Sequence, residues 1–218
     1  METSLTDWVI LYTHQVRGEL EQLPRIFSFL RQLKAQYRTA IYGDDNPEIT
    51  GPRFMVLDLG DSCSADVWHC QVTGGRSALF AFDSMGYEAA NVEGVFNPRT
   101  WQQMNDNVHM ALIDSAHPQK RQDEFFMAID PLSASENLAI NLHPAETTEL
   151  KNKVLHLASC AHGEVGAVHL TKIDTAFHLQ RHEVHPMPRR TPADPTIAGV
   201  IDFVISEARY FVKRQKKP

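Results

Sequence analysis

The sequence predicts an α/β fold with a largely parallel sheet, from two patterns along the chain. In the first hundred residues, apolar stretches typical of buried strands alternate three times with amphipathic helices. This alternation favours parallel strands joined by helical crossovers. The second half instead carries a series of short apolar segments typical of strands, followed by one closing helix. The predicted strands are 7–14, 54–59 and 89–95, then 109–114, 124–130, 137–142, 153–158, 164–173 and 176–184.

Each predicted helix has a start signal or an apolar face. In the first, apolar residues recur at three- and four-residue spacing from Leu23 to Tyr37, and Pro24 fits the first turn. The second helix follows Gly74-Gly75, and its apolar stripe ends near Gly86. Asn97-Pro98 opens the third. In the last helix, Asp194 is the expected N-cap before Pro195, and the helix runs to about residue 214.

Composition excludes several classes of protein. The 218 residues suit one domain spanning 1–218, and 43% hydrophobic with 22% charged residues is ordinary for a globular chain. A net charge of −6 gives no global attraction to nucleic acid or to an anionic membrane, so neither partner is expected. There is no signal-peptide pattern at the N-terminus. Three cysteines are too few for a disulfide scaffold, so reduced thiols and a cytoplasmic location are expected.

Three segments and a closing stretch occur in an informative order. They are ILYTHQVRGELE at 10–21, VLDLGDSCS at 56–64, GRSALFAFDSMGYEAANVEGVF at 75–96, and the strand-to-helix stretch 164–211. In this order they resemble the N-terminal domain of the metallophosphoesterase (calcineurin-like) superfamily, in its 5′-nucleotidase branch. The family motifs are Thr-Asn-Asp-x-His-Gly, Gly-Asp and Gly-Asn-His-Glu. The resemblance covers about two-thirds of the chain, and it implies a trimmed sandwich of mixed β-sheets flanked by helices.

The resemblance breaks down at the metal-binding positions. Gln15 and Arg17 stand where the family has its metal-binding Asp and His, and an ungapped match places Gly94 and Val95 at the Asn and His of the third motif. The family's later His-bearing strands and its Gly-His-x-His segment have no recognisable counterpart. Asp61 is the lone surviving ligand. These five residues are the predicted residual pocket, with no catalytic residue among them.

The loss of ligands predicts the loss of the family's chemistry. Two cations held about 3.5–4 Å apart need several carboxylates and imidazoles, and Arg17 would place a fixed positive charge at a cation position. A buried Asp61 would then need another partner, so we expect it to pair with Arg17. We therefore predict a catalytically degenerate protein that binds a small molecule or a protein, or that has a structural role, without cofactors. The alternative is an active hydrolase of phosphoesters, a nucleotidase or phosphodiesterase, using two divalent metals (Mn, Zn) held by unrecognised ligands.

Other polar clusters offer weaker alternatives. Asp58, Asp61, Asp66 and His69, with Cys63 and Cys70, could form a relocated metal site, although their spacing matches no zinc signature and a polar loop is the simpler interpretation. The three histidines of HLQRHEVH at 178–185 fit a solvated strand edge better than a metal site. A cysteine nucleophile beside a histidine, such as Cys160 with His162, is a further possibility that the spacing alone supports weakly.

Overall fold

Two β-sheets form the centre of the protein, which we describe from a computed structural model covering residues 5–43, 51–121, 124–134 and 137–215. The strands are β1 (Leu5–Thr13), β2 (Arg53–Asp58), β3 (Ala89–Asn91), β4 (Ala111–Ile113), β5 (Gln119–Arg121), β6 (Phe125–Ala128), β7 (Leu138–Asn141), β8 (Glu149–Lys151), β9 (Val154–His156), β10 (Glu164–Ile173) and β11 (Ala176–Pro186). The helices are α1 (Leu23–Tyr42), α2 (Trp68–Thr73), α3 (Arg76–Ser84), α4 (Pro98–Asn105) and α5 (Pro195–Gln215).

The larger sheet has the order β11-β10-β1-β2-β3-β4, and the smaller has the order β5-β6-β7-β9-β8. In the larger sheet β1 to β4 run parallel, while β10 is antiparallel to both β1 and β11. The carboxyl ends of β1, β2, β3 and β4 therefore lie along one edge. In open sheets of this kind, that edge is where ligands usually bind.

Two apolar cores hold the layers together. One lies between the sheets, where side chains such as Trp8, Tyr12 and Phe125 are fully buried. The other lies between the outer face of the larger sheet and the helices, and it includes Leu30 of α1, Phe82 of α3 and Ile201 of α5. β1 contributes alternate residues to both cores, which is why its sequence is continuously apolar.

The predicted α/β class with two mixed sheets flanked by helices is confirmed. The predicted helix starts at Asn97 and Asp194 are also confirmed, because Asn97 Oδ1 accepts a hydrogen bond from the backbone N–H of Thr100, and an oxygen of Asp194 accepts from those of Thr196 and Ile197. The prediction was wrong in extent at β3, which ends at Asn91 rather than at residue 95. Helix α2 and the short strands β5 and β8 were not predicted. The described helices include none with the length and apolar character needed to span a membrane.

Candidate functional site

A cavity of about 520 Å³ lies at the carboxyl ends of the parallel strands and extends to the edge of the smaller sheet. Loops from both sheets contribute to its wall. Its polar lining includes His14, Asp61, Ser62, Asn91, Glu93, Ser115, Asp130 and His143, while Val95, Leu59, Ile129 and Pro144 supply apolar surface.

The loop after β2 is built around a buried carboxylate. Asp58 is fully buried, and its Oδ2 accepts hydrogen bonds from Ser62 Oγ at 2.7 Å and from the Gly60 N–H at 3.1 Å. Its Oδ1 lies 3.3 Å from Thr13 Oγ1 on the neighbouring strand. Burial raises the pKa of Asp58 to about 7 despite these hydrogen bonds. This network shapes the loop and leaves Asp61 facing the cavity with a positive φ of 53°.

Asp61 meets His14, which follows β1. His14 Nε2 lies 3.9 Å from Asp61 Oδ2, and His14 Nδ1 lies 2.8 Å from Ser159 Oγ. Burial lowers the pKa of His14, and the Asp61 carboxylate opposes that shift. His14 therefore presents a buried imidazole to the cavity, although the sequence analysis did not identify it as a site residue.

The backbones of Gln15 and Arg17 are hydrogen-bonded to the loop that carries Asp61. The N–H of Gln15 donates to Gly60 O at 3.1 Å and that of Arg17 donates to Asp61 O at 2.8 Å. Both residues have positive φ, 59° and 53°. Their side chains contact each other, with Arg17 Nη2 at 3.5 Å from Gln15 Oε1, and neither is among the residues that line the cavity.

The predicted ion pair between Arg17 and Asp61 is wrong. Among the described residues, the ion-pair partner of Asp61 within 4.0 Å is His14. The premise was also wrong, because the Asp61 side chain is 64% exposed and so has no need of a buried counter-charge. The fully buried carboxylate of this loop is Asp58, which hydrogen-bond donors surround instead.

The turn after β3 supplies two polar residues that the sequence analysis missed. Asn91 Nδ2 donates to Leu59 O and to Leu142 O, both at 3.1 Å, and so links the two sheets. The Glu93 carboxylate accepts from the N–H of Ser115 at 2.6 Å and from its Oγ at 2.8 Å. Of the two residues predicted here, Val95 lines the cavity, whereas Gly94 is an exposed turn residue outside the lining.

The smaller sheet contributes an Asp–His pair, also missed. His143 Nδ1 lies 2.8 Å from Asp130 Oδ2. Asn141 positions both residues, because its Oδ1 accepts from their backbone N–H groups at 2.9 Å and 3.0 Å. The hydrogen bond with His143 holds the pKa of Asp130 below its usual range. Polar residues at the ends of adjacent strands in one sheet can form such a pair. The sequence does not give the order of the strands, so this pair could not be predicted from it.

In this arrangement the carboxylates and imidazoles of the cavity do not converge on one point. Only one group of three or more His, Cys, Asp or Glu side chains in the described ranges has its ligand atoms within 4.8 Å of one another, and it consists of Cys63, His69 and Cys70. Two of the cavity carboxylates are hydrogen-bonded to other lining residues, Glu93 to Ser115 and Asp130 to His143. A two-metal centre requires carboxylates and imidazoles that converge on shared cations.

The relocated metal site is assembled only in part: Cys63, His69 and Cys70 lie together, but the predicted carboxylates do not join them. Asp58 is used within its own loop, Asp66 is exposed, and Cys63 and Cys70 form a disulfide with their Cα atoms 5.7 Å apart. The expectation that all cysteines are reduced is therefore wrong for this pair. The reason is local, since the loop after β2 folds back against α2 and brings the two cysteines together.

The remaining candidates are Cys160 and the histidines of HLQRHEVH, and the fold places them in different surroundings. Cys160 is buried, its Sγ lies near the carbonyls of Tyr12 and Glu164, and burial raises its pKa to about 11, which is unfavourable for a nucleophile. The HLQRHEVH histidines lie on the edge strand β11, where His182 contacts Tyr12 and His185 contacts Tyr37. These two tyrosines belong to different cores, so the two imidazoles face opposite sides of the sheet.

Comparison with known proteins identifies the fold. No protein-family model matches the chain, and no curated protein matches its sequence. The structure is similar to the calcineurin-like phosphoesterase YfkN from Bacillus subtilis, with a TM-score of 0.61 and 8% identity over 96% of this chain and 100% of that one. It is also similar to the NAD nucleotidase NadN of Haemophilus influenzae, with a TM-score of 0.54 and 7% identity over 97% of this chain and 68% of that one. The fold is therefore that of the calcineurin-like phosphoesterases.

Proposed function

We propose that this chain is a catalytically degenerate, 5′-nucleotidase-like member of the metallophosphoesterase fold that binds a small polar molecule without catalytic metals. The observation that carries the proposal is the placement of Gln15 and Arg17. The sequence resemblance matches them to metal-binding Asp and His residues, and in the structure their side chains contact each other outside the cavity lining.

The chemistry of these side chains supports the proposal. A guanidinium remains protonated at any physiological pH and has no lone pair to offer a cation, so Arg17 cannot replace a histidine ligand. An amide oxygen such as that of Gln15 binds a cation without neutralising its charge. Asp61 alone retains a matching carboxylate, and one carboxylate does not hold two dications.

The cavity itself supports a binding role. Its volume of about 520 Å³ falls within the range of small-molecule sites. Around it, the imidazoles of His14 and His143 and the carboxylates of Asp61 and Asp130 offer donors and acceptors, and Val95 adds an apolar contact. Such a lining suits a polar metabolite better than an apolar one.

A second candidate is a metal-dependent phosphoester hydrolase, a nucleotidase or phosphodiesterase. One observation favours it: Asp61 shares its cavity with His14, Asn91, Glu93, Asp130 and His143. These residue types can bind Mn²⁺ or Zn²⁺ if the loops rearrange to bring them together. In this arrangement they form separate pairs, His14 with Asp61 and His143 with Asp130, so this candidate requires a movement of the loops that brings the pairs together.

Hydrolysis assays separate the two candidates. The protein, with its disulfide intact, is supplied with Mn²⁺ or Zn²⁺ and assayed on a nucleoside monophosphate and on a phosphodiester. The proposal predicts no turnover above that of the Asp61→Asn variant. Binding is followed separately by NMR, where the nucleoside monophosphate should shift the imidazole signals of His14 and His143.

One result would overturn the proposal, and a second would exclude one class of ligand. Metal-dependent turnover that Asp61→Asn abolishes would establish the hydrolase. Absence of any shift at His14 and His143 with the nucleoside monophosphate, inorganic phosphate and NAD would argue against the cleft as a site for phosphate-bearing ligands. Asp66→Asn is the matched control, because Asp66 is exposed and lies outside the cavity lining.

A further inference from the structure

Behind the wall of the cavity, a second group of side chains is arranged for a different chemistry. Cys63 and Cys70 are joined in a disulfide, and His69 lies against it with Nδ1 at 3.7 Å from Cys70 Sγ. His69, Cys70 and Ser77 are buried, whereas Cys63 is half-buried and lines the cavity. The group is therefore enclosed on one side and reachable from the cavity on the other.

The hydrogen bonds of His69 define which of its nitrogens carries the proton. Nε2 lies 3.0 Å from the backbone oxygen of Gly18. A carbonyl oxygen only accepts, so Nε2 must be the protonated nitrogen of the neutral ring. The lone pair is then on Nδ1, which faces Ser77 Oγ at 2.9 Å and the sulfur of Cys70.

This is the arrangement that metal-binding histidines have. Such a histidine donates its second ring N–H to a carbonyl or carboxylate, which fixes the tautomer and aims the other nitrogen at the metal. In addition, a ring nitrogen of His69, Cys63 Sγ and Cys70 Sγ all lie within 4.8 Å of one another. In a tetrahedral zinc site, with Zn–S near 2.3 Å and Zn–N near 2.0–2.1 Å, ligand atoms are separated by roughly 3.5–3.8 Å.

We propose that Cys63, His69 and Cys70 form a thiolate–imidazole site for zinc or a similar soft dication, which is available when the disulfide is reduced. A dithiol reductant supplies two electrons and two protons: the S–S bond breaks, the reductant becomes a disulfide, and both cysteines become thiols. Binding of Zn²⁺ to the two sulfurs then releases both thiol protons. Because both use the sulfurs of Cys63 and Cys70, the disulfide and the bound metal cannot be present at the same time.

The surroundings of the site fit this exchange. Three protein ligands leave the fourth position of a tetrahedral ion for water or for the Ser77 hydroxyl, which lies 3.6 Å from Cys63 Sγ. Gly18 is packed so closely that an added Cβ would lie 2.7 Å from Cys70 Sγ, so Cys70 has little space to move on this side of the site. The sulfurs must separate on reduction, and Cys63, on the loop beside the cavity, is the one with space to move.

Cobalt binding tests the proposal on the full-length chain. The protein is reduced with a dithiol, desalted without oxygen and titrated with Co²⁺, whose bonds to thiolates give a near-ultraviolet charge-transfer band. Reduced protein should bind one ion per chain with this band and lose the band when Zn²⁺ is added. Oxidised protein should show no band. Because oxidised and reduced wild type have the same sequence, this comparison needs no variant.

Variants assign the ligands. Cys70→Ser should lose the band, and His69→Gln should weaken Zn²⁺ binding by at least the roughly 10–100-fold that loss of an outer-shell partner costs. Cys160→Ser is the matched control, because Cys160 is a buried cysteine outside the group, and it should bind as wild type does. On the reduced wild type, Zn²⁺ should also shift the Nδ1 nitrogen resonance of His69 and not only its Nε2 resonance.

Several results would overturn the proposal. They are a reduced wild type without the band, a band that survives in Cys70→Ser, a band that Cys160→Ser abolishes, or an unchanged Nδ1 resonance. Unfolding of the wild type on reduction would also overturn it, because the site requires the folded contacts of His69 with Gly18 and Ser77.

Discussion

Nε2 of His14 lies 3.9 Å from Oδ2 of Asp61, across the ends of the two central parallel strands. The His14 imidazole is buried, whereas the Asp61 carboxylate is largely exposed, and both residues line the cavity. Asp61 has this partner in place of Arg17, whose side chain contacts Gln15 instead.

Removing the charge of Asp61 should change the titration of His14. Burial lowers the pKa of His14 and the negative charge of Asp61 raises it. Asp61→Asn removes the second effect, so the pKa of His14 should fall further below its ordinary value. The measurement is an NMR titration of the His14 ring in both proteins. Asp66→Asn should leave the titration unchanged, and an equal or higher pKa in Asp61→Asn would contradict the assigned contact.

Asp58 should make stability depend on pH between about 4 and 7. Its pKa is about 7 in the folded chain against an ordinary 3.8. Between these values the folded protein retains a proton that the unfolded chain has lost. Unfolding therefore releases a proton, and the contribution of Asp58 to stability is present at low pH and declines as pH rises toward 7.

Asp58→Asn provides the comparison, because the amide cannot ionise. From pH 4 to pH 7, the unfolding free energy of wild type should fall relative to that of Asp58→Asn by at least about 1.4 kcal/mol, the equivalent of a tenfold change in proton affinity. Urea denaturation at each pH measures this difference. If the unfolding free energies of the two proteins changed with pH in parallel, the pKa of Asp58 in the folded protein would be an ordinary one, which would contradict the prediction.

Gly166 is expected to be essential for the packing of β10 on β1. It is paired with Tyr12, and an added Cβ would overlap the Tyr12 ring. Gly166→Ala should therefore cost at least about 1–3 kcal/mol of stability through overpacking. Gly199→Ala is the matched control: Gly199 is exposed within α5, its added Cβ meets nothing within 4 Å, and alanine should stabilise the helix by about 0.5–1 kcal/mol. Urea denaturation of both variants checks the pair; similar stabilities would contradict this packing.

Restoring two metal-binding residue types should increase the affinity of the cleft for metal, because the backbones of residues 15 and 17 adjoin the Asp61 loop even though the present side chains lie outside the cavity lining. Gln15 and Arg17 both have φ in the left-handed region, which Asp and His tolerate better than most residues. The double variant Gln15→Asp/Arg17→His should therefore fold and bind Mn²⁺ more tightly than wild type. Calorimetric titration in non-reducing buffer measures this. A folded double variant with wild-type Mn²⁺ affinity would show that these positions do not face a metal centre.

Much of the fold could be predicted because long apolar segments carry their own pattern. β1, β10 and α5 were located closely, since the two strands are buried along most of their length and α5 buries one face at helical spacing. Helix α2 was missed because its six residues are too few to show a repeating helical pattern of apolar residues. In addition, its buried His69 is held by contacts with Gly18 and Ser77 rather than by apolar packing.

The site was predicted less completely, because it depends on pairings between distant segments. An ungapped match placed the third motif at Gly94 and Val95, whereas β3 ends at Asn91 and the chain turns at once. Asp130 and His143 come together only because β6 and β7 are neighbours in the smaller sheet. A spacing of seven residues did not indicate that Cys63 and Cys70 would meet.

The most direct test of the account is metal stoichiometry. The protein is purified without chelator in non-reducing buffer, offered Mn²⁺ and Zn²⁺, freed of unbound ions, and analysed for its metal content. Keeping the Cys63–Cys70 disulfide intact prevents the thiolate site from contributing. We expect close to zero ions per chain, with no difference between wild type and Asp61→Asn. Close to two ions per chain, lost in Asp61→Asn, would contradict the account and identify the cleft as a working metal centre.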